Sequence, residues 1–282
     1  MALEVDIRGM YLSVIIPAYN EERRLPKTLE EIDKYLRKQT VAEASPHLPP
    51  RSASPRSVYD YEILVVNDGS KDNTLEVAKS LIPKINPSTG LRVNAERSRS
   101  IKNLKVTGYE KNQGKGYAVR FGMLEAKGDF RLFTDADNST SIDQIEKMWP
   151  YFEKGCDIVF GSRDVKGAIL DPPQSLFRRF LGEGFGFLTN SIVGTWGIAD
   201  SQCGFKCFTK KATEDIFPRC KINRFAFDPE FFVIAKKLGY KIKEIPIYWR
   251  NDPESKVKFK WMVNMGLDLF KIRLNLIKGV YD

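Results

Sequence analysis

Asp135-Ala136-Asp137 follows the apolar run at 130–133 and precedes Asn138-Ser139-Thr140, so two carboxylates two positions apart emerge where an extended segment ends. Residues i and i+2 of an extended chain face the same side. Both acids can therefore converge on one hard divalent cation, or on a cation and a ribose hydroxyl, an arrangement suited to holding a diphosphate. The same triplet also fits a solvated turn with a helix cap, and the surrounding elements must decide between the two. Asn138-Ser139-Thr140 matches an N-glycosylation acceptor, but a glycan there would cover the carboxylates; the match reads as accidental and favours a cytosolic location.

Composition narrows the chemistry. With 282 residues, 42% of them hydrophobic, the chain can bury a large core, which excludes disorder throughout. Its formal charge of +9 favours an anionic partner: a phosphorylated substrate, an acidic membrane surface or a nucleic acid. The basic residues are scattered and no nucleic-acid-binding motif is present, which argues against the last. The one histidine, His47, lies among Pro46, Pro49 and Pro50, so imidazole-based hydrolysis and the usual zinc sites are disfavoured. Cys156, Cys203, Cys207 and Cys220 lie in or beside apolar segments and read as buried reduced thiols. No stretch approaches the roughly 20 apolar residues of a membrane span. The first ten residues carry Glu4, Asp6 and Arg8, unlike a signal peptide.

The elements that must position the acids are legible as periodicities. Residues 12–16 and 61–66 are β-branched runs that end in Pro17-Ala18-Tyr19-Asn20 and Asn67-Asp68-Gly69-Ser70, and they read as strands buried on both faces. Between them, residues 25–39 have helical spacing with Leu29, Ile32 and Leu36 on one side. A capping box at Asn73 and Glu76 opens a helix to residue 82; strand 104–109, helix 115–126 and strand 130–134 follow. A helix capped by Ser141 and Gln144 and a strand at 157–160 complete this part. Such alternation predicts a mostly parallel sheet with helices on both faces, whose ligands bind at the carboxyl ends of the strands. Asn20, Asp68, Gly114-Lys115, Asp135 and Asp137 all fall at those ends, which favours a ligand site over a solvated turn. Residues 41–57 and 86–100 read as flexible surface insertions.

Beyond Arg163 the pattern changes. Residues 176–196 are rich in aromatic, aliphatic and glycine residues around Arg178-Arg179. Strands are expected at 205–208 and 242–249, and a helix opened by Asp228-Pro229 as cap and first turn closes at Gly239. A last helix, 259–278, carries Met262, Val263, Gly266, Phe270, Leu274 and Ile277 on one stripe. The segment 176–196 and this helix are either core or a basic, aromatic-rich surface resting on an anionic membrane.

Val14-Ile15-Ile16-Pro17-Ala18-Tyr19-Asn20-Glu21-Glu22, Val65-Val66-Asn67-Asp68-Gly69-Ser70, Asn112-Gln113-Gly114-Lys115-Gly116 and Asp135-Ala136-Asp137 occur in an order that resembles family 2 glycosyltransferases. Gly161-Ser162-Arg163, Asp200-Ser201-Gln202-Cys203-Gly204-Phe205-Lys206 and Arg224-Phe225-Ala226-Phe227-Asp228 narrow the resemblance to the dolichyl-phosphate β-glucosyltransferase branch, close to the dolichyl-phosphate mannose synthases. The resemblance runs from about residue 12 to 258. It implies an α/β GT-A fold forming a single catalytic domain over residues 1–282, with a nucleotide-binding half at about 12–160 and an acceptor and membrane-facing half at about 161–282.

The implied reaction is inverting transfer of glucose from UDP-glucose to dolichyl or another polyprenyl phosphate, serving protein N-glycosylation at the cytosolic face of the endoplasmic reticulum. Carried onto matching positions, Pro17, Ala18, Tyr19, Glu21 and Asp68 would hold the nucleotide, with Gly114 and Lys115 near the uridine or diphosphate. Asp135 and Asp137 would serve the ribose and a Mg²⁺ or Mn²⁺ ion. Arg163 with Arg178 or Arg179 would grip the acceptor phosphate, and Gln202 with Asp228 would line the sugar pocket. Asp200 or Asp228 could orient the reactants; no strong general base is needed because the acceptor is itself an ionised phosphate.

Two departures from the family stand out. Ser139 occupies the position of a third metal ligand in mannose synthases of this type. The family's usual N-terminal span does not precede residue 12, which implies either its removal or peripheral attachment through residues 176–196 and the last helix. Mannosyl or GlcNAc transfer and a non-catalytic nucleotide-sugar binder are the alternatives. A nucleotidyltransferase is disfavoured, since Pro17-Ala18-Tyr19-Asn20 stands where its Gly-rich, Arg-containing loop belongs.

Overall fold

The computed structural model describes residues 10–41, 60–86, 103–173, 176–250 and 259–282. The expected insertions at 41–57 and 86–100 lie, apart from their first residues, outside the described residues. The first half runs β1 (Tyr11–Ala18), α1 (Leu25–Val41), β2 (Asp60–Asp68), α2 (Thr74–Ser80), α3 (Ile82–Ile85), β3 (Leu104–Tyr109), α4 (Lys115–Glu125) and β4 (Phe130–Thr134). A 3₁₀ segment (Ile142–Lys147), α5 (Trp149–Glu153) and β5 (Ile158–Ser162) follow. The second half adds β6 (Ile169–Asp171), α6 (Leu176–Val193), β7 (Phe205–Thr209), α7 (Lys210–Ile216), α8 (Phe227–Lys237), β8 (Ile242–Pro246), β9 (Tyr248–Arg250) and α9 (Phe259–Ile277).

The β-branched runs sit in the sheet interior because helices cover both faces. Val14, Ile16, Ile63 and Val65 pack with Leu25, Leu29, Ile32 and Leu36 of α1, while Ile15, Leu64 and Val66 face Ala118, Val119 and Met123 of α4. Each fully buried aliphatic side chain contributes about 1.5–3 kcal/mol relative to exposure. The seven strands lie in the order β3-β2-β1-β4-β7-β5-β8. All neighbours are parallel except β7, which is antiparallel to both β4 and β5. That reversal has a functional result. Phe205, the first residue of β7, pairs with Thr134, the last of β4, so the 200–204 loop arrives at the edge where β1, β2 and β4 end.

Local expectations fail where a tertiary partner outcompetes a cap. Asn73 and Ser141 occupy N-cap positions without side-chain cap bonds. Instead, the Asn73 side-chain amide donates to Glu22 Oε2 at 3.1 Å, and Gln144 takes the Tyr248 N–H at 3.1 Å. The segment after Ser141 is 3₁₀ rather than α. Ala226, not Asp228, precedes the first residue of α8. The expected strand at 242–249 is two strands: β8 pairs with β5, and β9 pairs with β6 in a separate parallel ribbon.

On the last helix the expected stripe is the outward face. Met265, Leu269 and Ile272 face the core, whereas Phe270, Leu274 and Ile277, expected to share one face, are exposed together with Leu267, Ile277 by 70%. On α6 and just after it, Phe187, Leu188 and Trp196 are exposed too, and α6 packs on α9. The side chains of Met262, Val263, Arg178 and Arg179 lie outside the described residues. Among the described residues no helix is long and apolar enough to cross a membrane.

Candidate active site

At the carboxyl edge of the sheet, backbone turns are fixed by side chains from neighbouring strands. Pro17 and Ala18 end β1 opposite Val66 and Asn67, and Tyr19 is 40% exposed at the rim. Asn20 adopts a φ of 59°; its N–H donates to Ser70 Oγ at 3.1 Å, and its side chain accepts from the Lys71 N–H at 2.8 Å. Glu21 receives Arg24 through two bonds of 2.7 Å. Burial pushes the Glu21 carboxyl up, Arg24 opposes the shift, and the charges of Asp137 and Asp135 reinforce it.

Asp68, at the end of β2, is buried. Its carboxylate accepts the Gln113 N–H at 2.7 Å, the Gly114 N–H at 3.0 Å and Asn112 Nδ2 at 2.8 Å, and so draws the 112–114 loop over the sheet edge. Gly114 makes this possible with a φ of 103° and by its approach to the Asn223 carbonyl, which a Cβ would meet at 2.6 Å. The next residue, Lys115, opens α4 and places its ammonium 2.6 Å from Asp135 Oδ1.

The acidic turn is held from three sides. Thr28 of α1 donates to the Ala136 carbonyl at 2.7 Å, Asn138 reaches Glu31 at 2.5 Å, and the Ser139 N–H donates to Asp137 Oδ1 at 2.9 Å. Asp135 lies against Gly204, where a Cβ would sit 2.0 Å from Oδ2, so any larger residue would displace the carboxylate. Burial, and then the charge of Asp135, push the Asp137 carboxyl above its usual range against the pull of Ser139 and Lys115. Lys115 moves up as well: burial lowers it, but Asp135, Asp228 and Asp137 together prevail. Two half-buried carboxylates thus lie beside one ammonium and leave a net negative charge carried by carboxylate oxygens. Such a site fits a hard divalent cation.

Two further ion pairs flank this centre. Arg163, just past β5, meets Asp200 fork to fork at 2.7 and 2.8 Å, donates its own N–H to Oδ2 at 3.0 Å, and lies over Trp249 with its guanidinium 5.5 Å from the ring centroid. The Gln202 N–H donates to Asp200 at 3.2 Å, and Glu244 clamps the N–H groups of Ala199 and Asp200. Asp228 pairs with Lys206 at 2.7 Å, and Lys206 also donates to the Cys203 carbonyl. Asp200 and Asp228 are therefore engaged with cations. Gly204 and Lys206 stood in the motif at 200–206 without an assigned role, and Glu244 had no sequence signal.

The Asp200 pair makes a pH prediction. Burial alone would raise its carboxyl, but Arg163 overrides that and holds it below the usual value. Its stabilising contribution is complete above the unfolded pKa of about 3.9 and is lost as pH falls through the lower folded value. In urea unfolding, wild type is expected to exceed Asp200→Asn in stability at pH 6, and the gap should close toward pH 3. A gap independent of pH would remove the ion pair as its source.

The family model for Glycosyl transferase family 2 matches residues 13–217. The chain belongs to this family. Among its members, a dolichyl-phosphate beta-glucosyltransferase of Homo sapiens is 34% identical over 96% of this chain and 77% of its own length. One from Dictyostelium discoideum is 34% identical over 98% and 77%, and one from Trichomonas vaginalis 34% over 96% and 73%. Among solved structures, mannosyl-3-phosphoglycerate synthase from Rubrobacter xylanophilus superposes with a TM-score of 0.60 at 15% identity, covering 96% of this chain and 76% of that one. Glucosyl-3-phosphoglycerate synthase from Mycobacterium tuberculosis, in complex with Mn²⁺, UDP and glucosyl-3-phosphoglycerate, gives 0.57 at 14%, covering 95% and 80%. The family fold is the expected GT-A fold: a mostly parallel sheet between helices, with the acidic turn at its carboxyl edge.

Proposed function

We propose that this family member transfers glucose from UDP-glucose to dolichyl phosphate with inversion, supplying dolichyl β-D-glucosyl phosphate for protein N-glycosylation. What supports this above all is the Lys115–Asp135–Asp137 centre at the strand ends of a chain one-third identical, over nearly its whole length, to dolichyl-phosphate beta-glucosyltransferases. The function is assigned to one catalytic domain, its nucleotide half at about 12–160 and its acceptor half at about 161–282.

Pro17, Ala18, Tyr19 and Glu21 border the base and ribose, and Asp68 shapes the 112–114 loop beside them. Gly114 gives the diphosphate close access to the backbone, next to the Lys115 ammonium. Asp137, with Asp135, would hold Mg²⁺ or Mn²⁺, which when bound neutralises the charge that develops on the departing diphosphate. Mn²⁺ accompanies UDP in the Mycobacterium tuberculosis neighbour. Among the described residues no three acidic, thiol or imidazole groups form a closed cage, so the remaining ligands would be phosphate oxygens and water. Lys115 pairs with Asp135 and adds positive charge on the same side.

The acceptor phosphate is ionised near neutral pH. One of its oxygens attacks the anomeric carbon as the bond from that carbon to UDP breaks, and no proton need be removed. Arg163 spends its Nε and one Nη2 hydrogen on Asp200, and its remaining guanidinium N–H donors are assigned to that phosphate. Arg178 and Arg179 at the start of α6 are assigned to the same phosphate. Gln202 and Asp228 border the sugar, with Asp228 acting through its Lys206 pair. The exposed stripe of α6 and α9, with Arg273 and Lys278 beside it, is assigned to the cytosolic leaflet of the endoplasmic reticulum; each basic residue near an anionic surface adds roughly 1 kcal/mol.

The deciding experiment supplies radiolabelled UDP-glucose, GDP-mannose and UDP-GlcNAc, separately and in competition, with dolichyl phosphate in anionic vesicles and Mn²⁺ or Mg²⁺. Lipid-linked glucose is the expected product. Label transferred from another donor would reassign the sugar, and no labelled lipid with any donor and metal would remove the transferase reading.

A further inference from the structure

The catalytic account leaves one fully buried carboxylate without a role. Glu230, in α8, is 0% exposed. It accepts the Lys221 N–H at 2.9 Å, the Ile222 N–H at 2.8 Å and the Tyr281 hydroxyl at 2.7 Å. Tyr281 is itself 0% exposed, and its oxygen also accepts Asn275 Nδ2 of α9 at 3.2 Å. A buried carboxylate that gathers two backbone N–H groups and a hydroxyl fixes the loop that supplies them.

That loop, 220–223, abuts the start of α4. The Tyr117 N–H donates to the Asn223 carbonyl at 3.0 Å. Arg120 reaches the Cys220 carbonyl at 2.5 Å and Asn223 Oδ1 at 3.1 Å. Gly114 and Gly116 pack against it so closely that a Cβ would lie 2.6 Å from the Asn223 oxygen and 2.7 Å from the Ile222 oxygen, respectively. Between these two glycines stands Lys115, whose ammonium is set beside Asp135.

We propose that Glu230, latched by Tyr281, is a positioning residue for the donor: through the 220–223 loop it fixes the first turn of α4 and so aims Lys115 at the diphosphate. The proposal rests on the donor role of Lys115 given above. It makes the C-terminal tyrosine, remote in sequence from every motif, a determinant of nucleotide affinity.

The test is a double-mutant cycle on the full chain with Tyr281→Phe and Lys115→Ala, read by calorimetric titration with UDP and Mn²⁺ and by KM for UDP-glucose and for dolichyl phosphate. Tyr281→Phe is expected to weaken UDP binding about fivefold, the scale of one ordinary net hydrogen bond. KM for UDP-glucose should rise in parallel while that for dolichyl phosphate stays put, and the effect on UDP should vanish in the Lys115→Ala background. UDP affinity unchanged in Tyr281→Phe, with only the urea midpoint lowered, would make the latch merely structural and overturn the proposal. Equal weakening with and without Lys115 would overturn it as well. Should Tyr281→Phe be recovered unfolded, Asn275→Ala, which loosens the same hydroxyl from α9, is read by the same criteria. Wild-type protein that does not bind UDP at all would overturn the donor assignment, and the latch with it.

Discussion

Asp137→Ala is expected to lower the rate of lipid-linked glucose formation at least ~100-fold, the usual loss when a preorganised electrostatic contact to a developing charge is removed. The magnitude follows from position. Asp137 is the carboxylate of the pair that Lys115 does not bond directly: the ammonium lies 2.6 Å from Asp135 Oδ1, whereas Asp137 takes the Ser139 N–H and stays above its usual pKa range through burial and the neighbouring charge. Removing it takes away the carboxylate proposed to hold the cation while leaving Asp135 and its lysine in place. The fold should survive, because the turn is also anchored by Thr28 on the Ala136 carbonyl and by Asn138 on Glu31. Initial rates over a Mn²⁺ and Mg²⁺ series, with circular dichroism to verify folding, provide the measurement. A folded variant that keeps the wild-type rate at every metal concentration would remove Asp137 from the mechanism.

Asp228→Ala should have the largest effect on stability. It strands the Lys206 ammonium, 0% exposed, against the rings of Phe133, Phe231 and Phe232, with the Cys203 carbonyl as its recorded hydrogen-bond acceptor. Breaking a buried pair from one side costs about 3–5 kcal/mol, because the remaining charge is neither solvated nor matched. Against a total stability of about 5–15 kcal/mol, that is a large fraction. A fall in the urea midpoint of corresponding size is expected. The double substitution Asp228→Leu with Lys206→Met, which removes both charges at similar volume, should restore most of it. If the single variant unfolds at the wild-type urea concentration, Lys206 is not left as an uncompensated buried charge and the prediction fails.

The site was legible in proportion to how local its determinants are. Asp135, Asp137, Asp68 and Lys115 could be placed because each lies at the end of a β-branched run or the start of a periodic helix, and the alternation of such runs implies where the ends converge. The caps were misread for the complementary reason. Asn73, Ser141 and Asp228 are sound cap residues by type, but Glu22, Tyr248 and Lys206 offer partners that no short window contains. In the sequence alone the stripe of α9 stays open between core and surface, because a helix rich in apolar residues on both sides has two possible inner faces. Packing chose Met265, Leu269 and Ile272.

The sequence by itself determined the alternation of strands and helices over the first 160 residues, the acidic turn at a strand end and the basic balance, since these depend on the chemistry of neighbouring residues along the chain. Only the tertiary structure decided that β7 runs against its neighbours and brings Gly204 to Asp135, that Arg163 meets Asp200, and that Tyr281 closes on Glu230. Those contacts join residues that are 37, 51 and 69 positions apart or comparably distant. Their formation depends on which surfaces the whole core leaves adjacent, a property that no local pattern encodes.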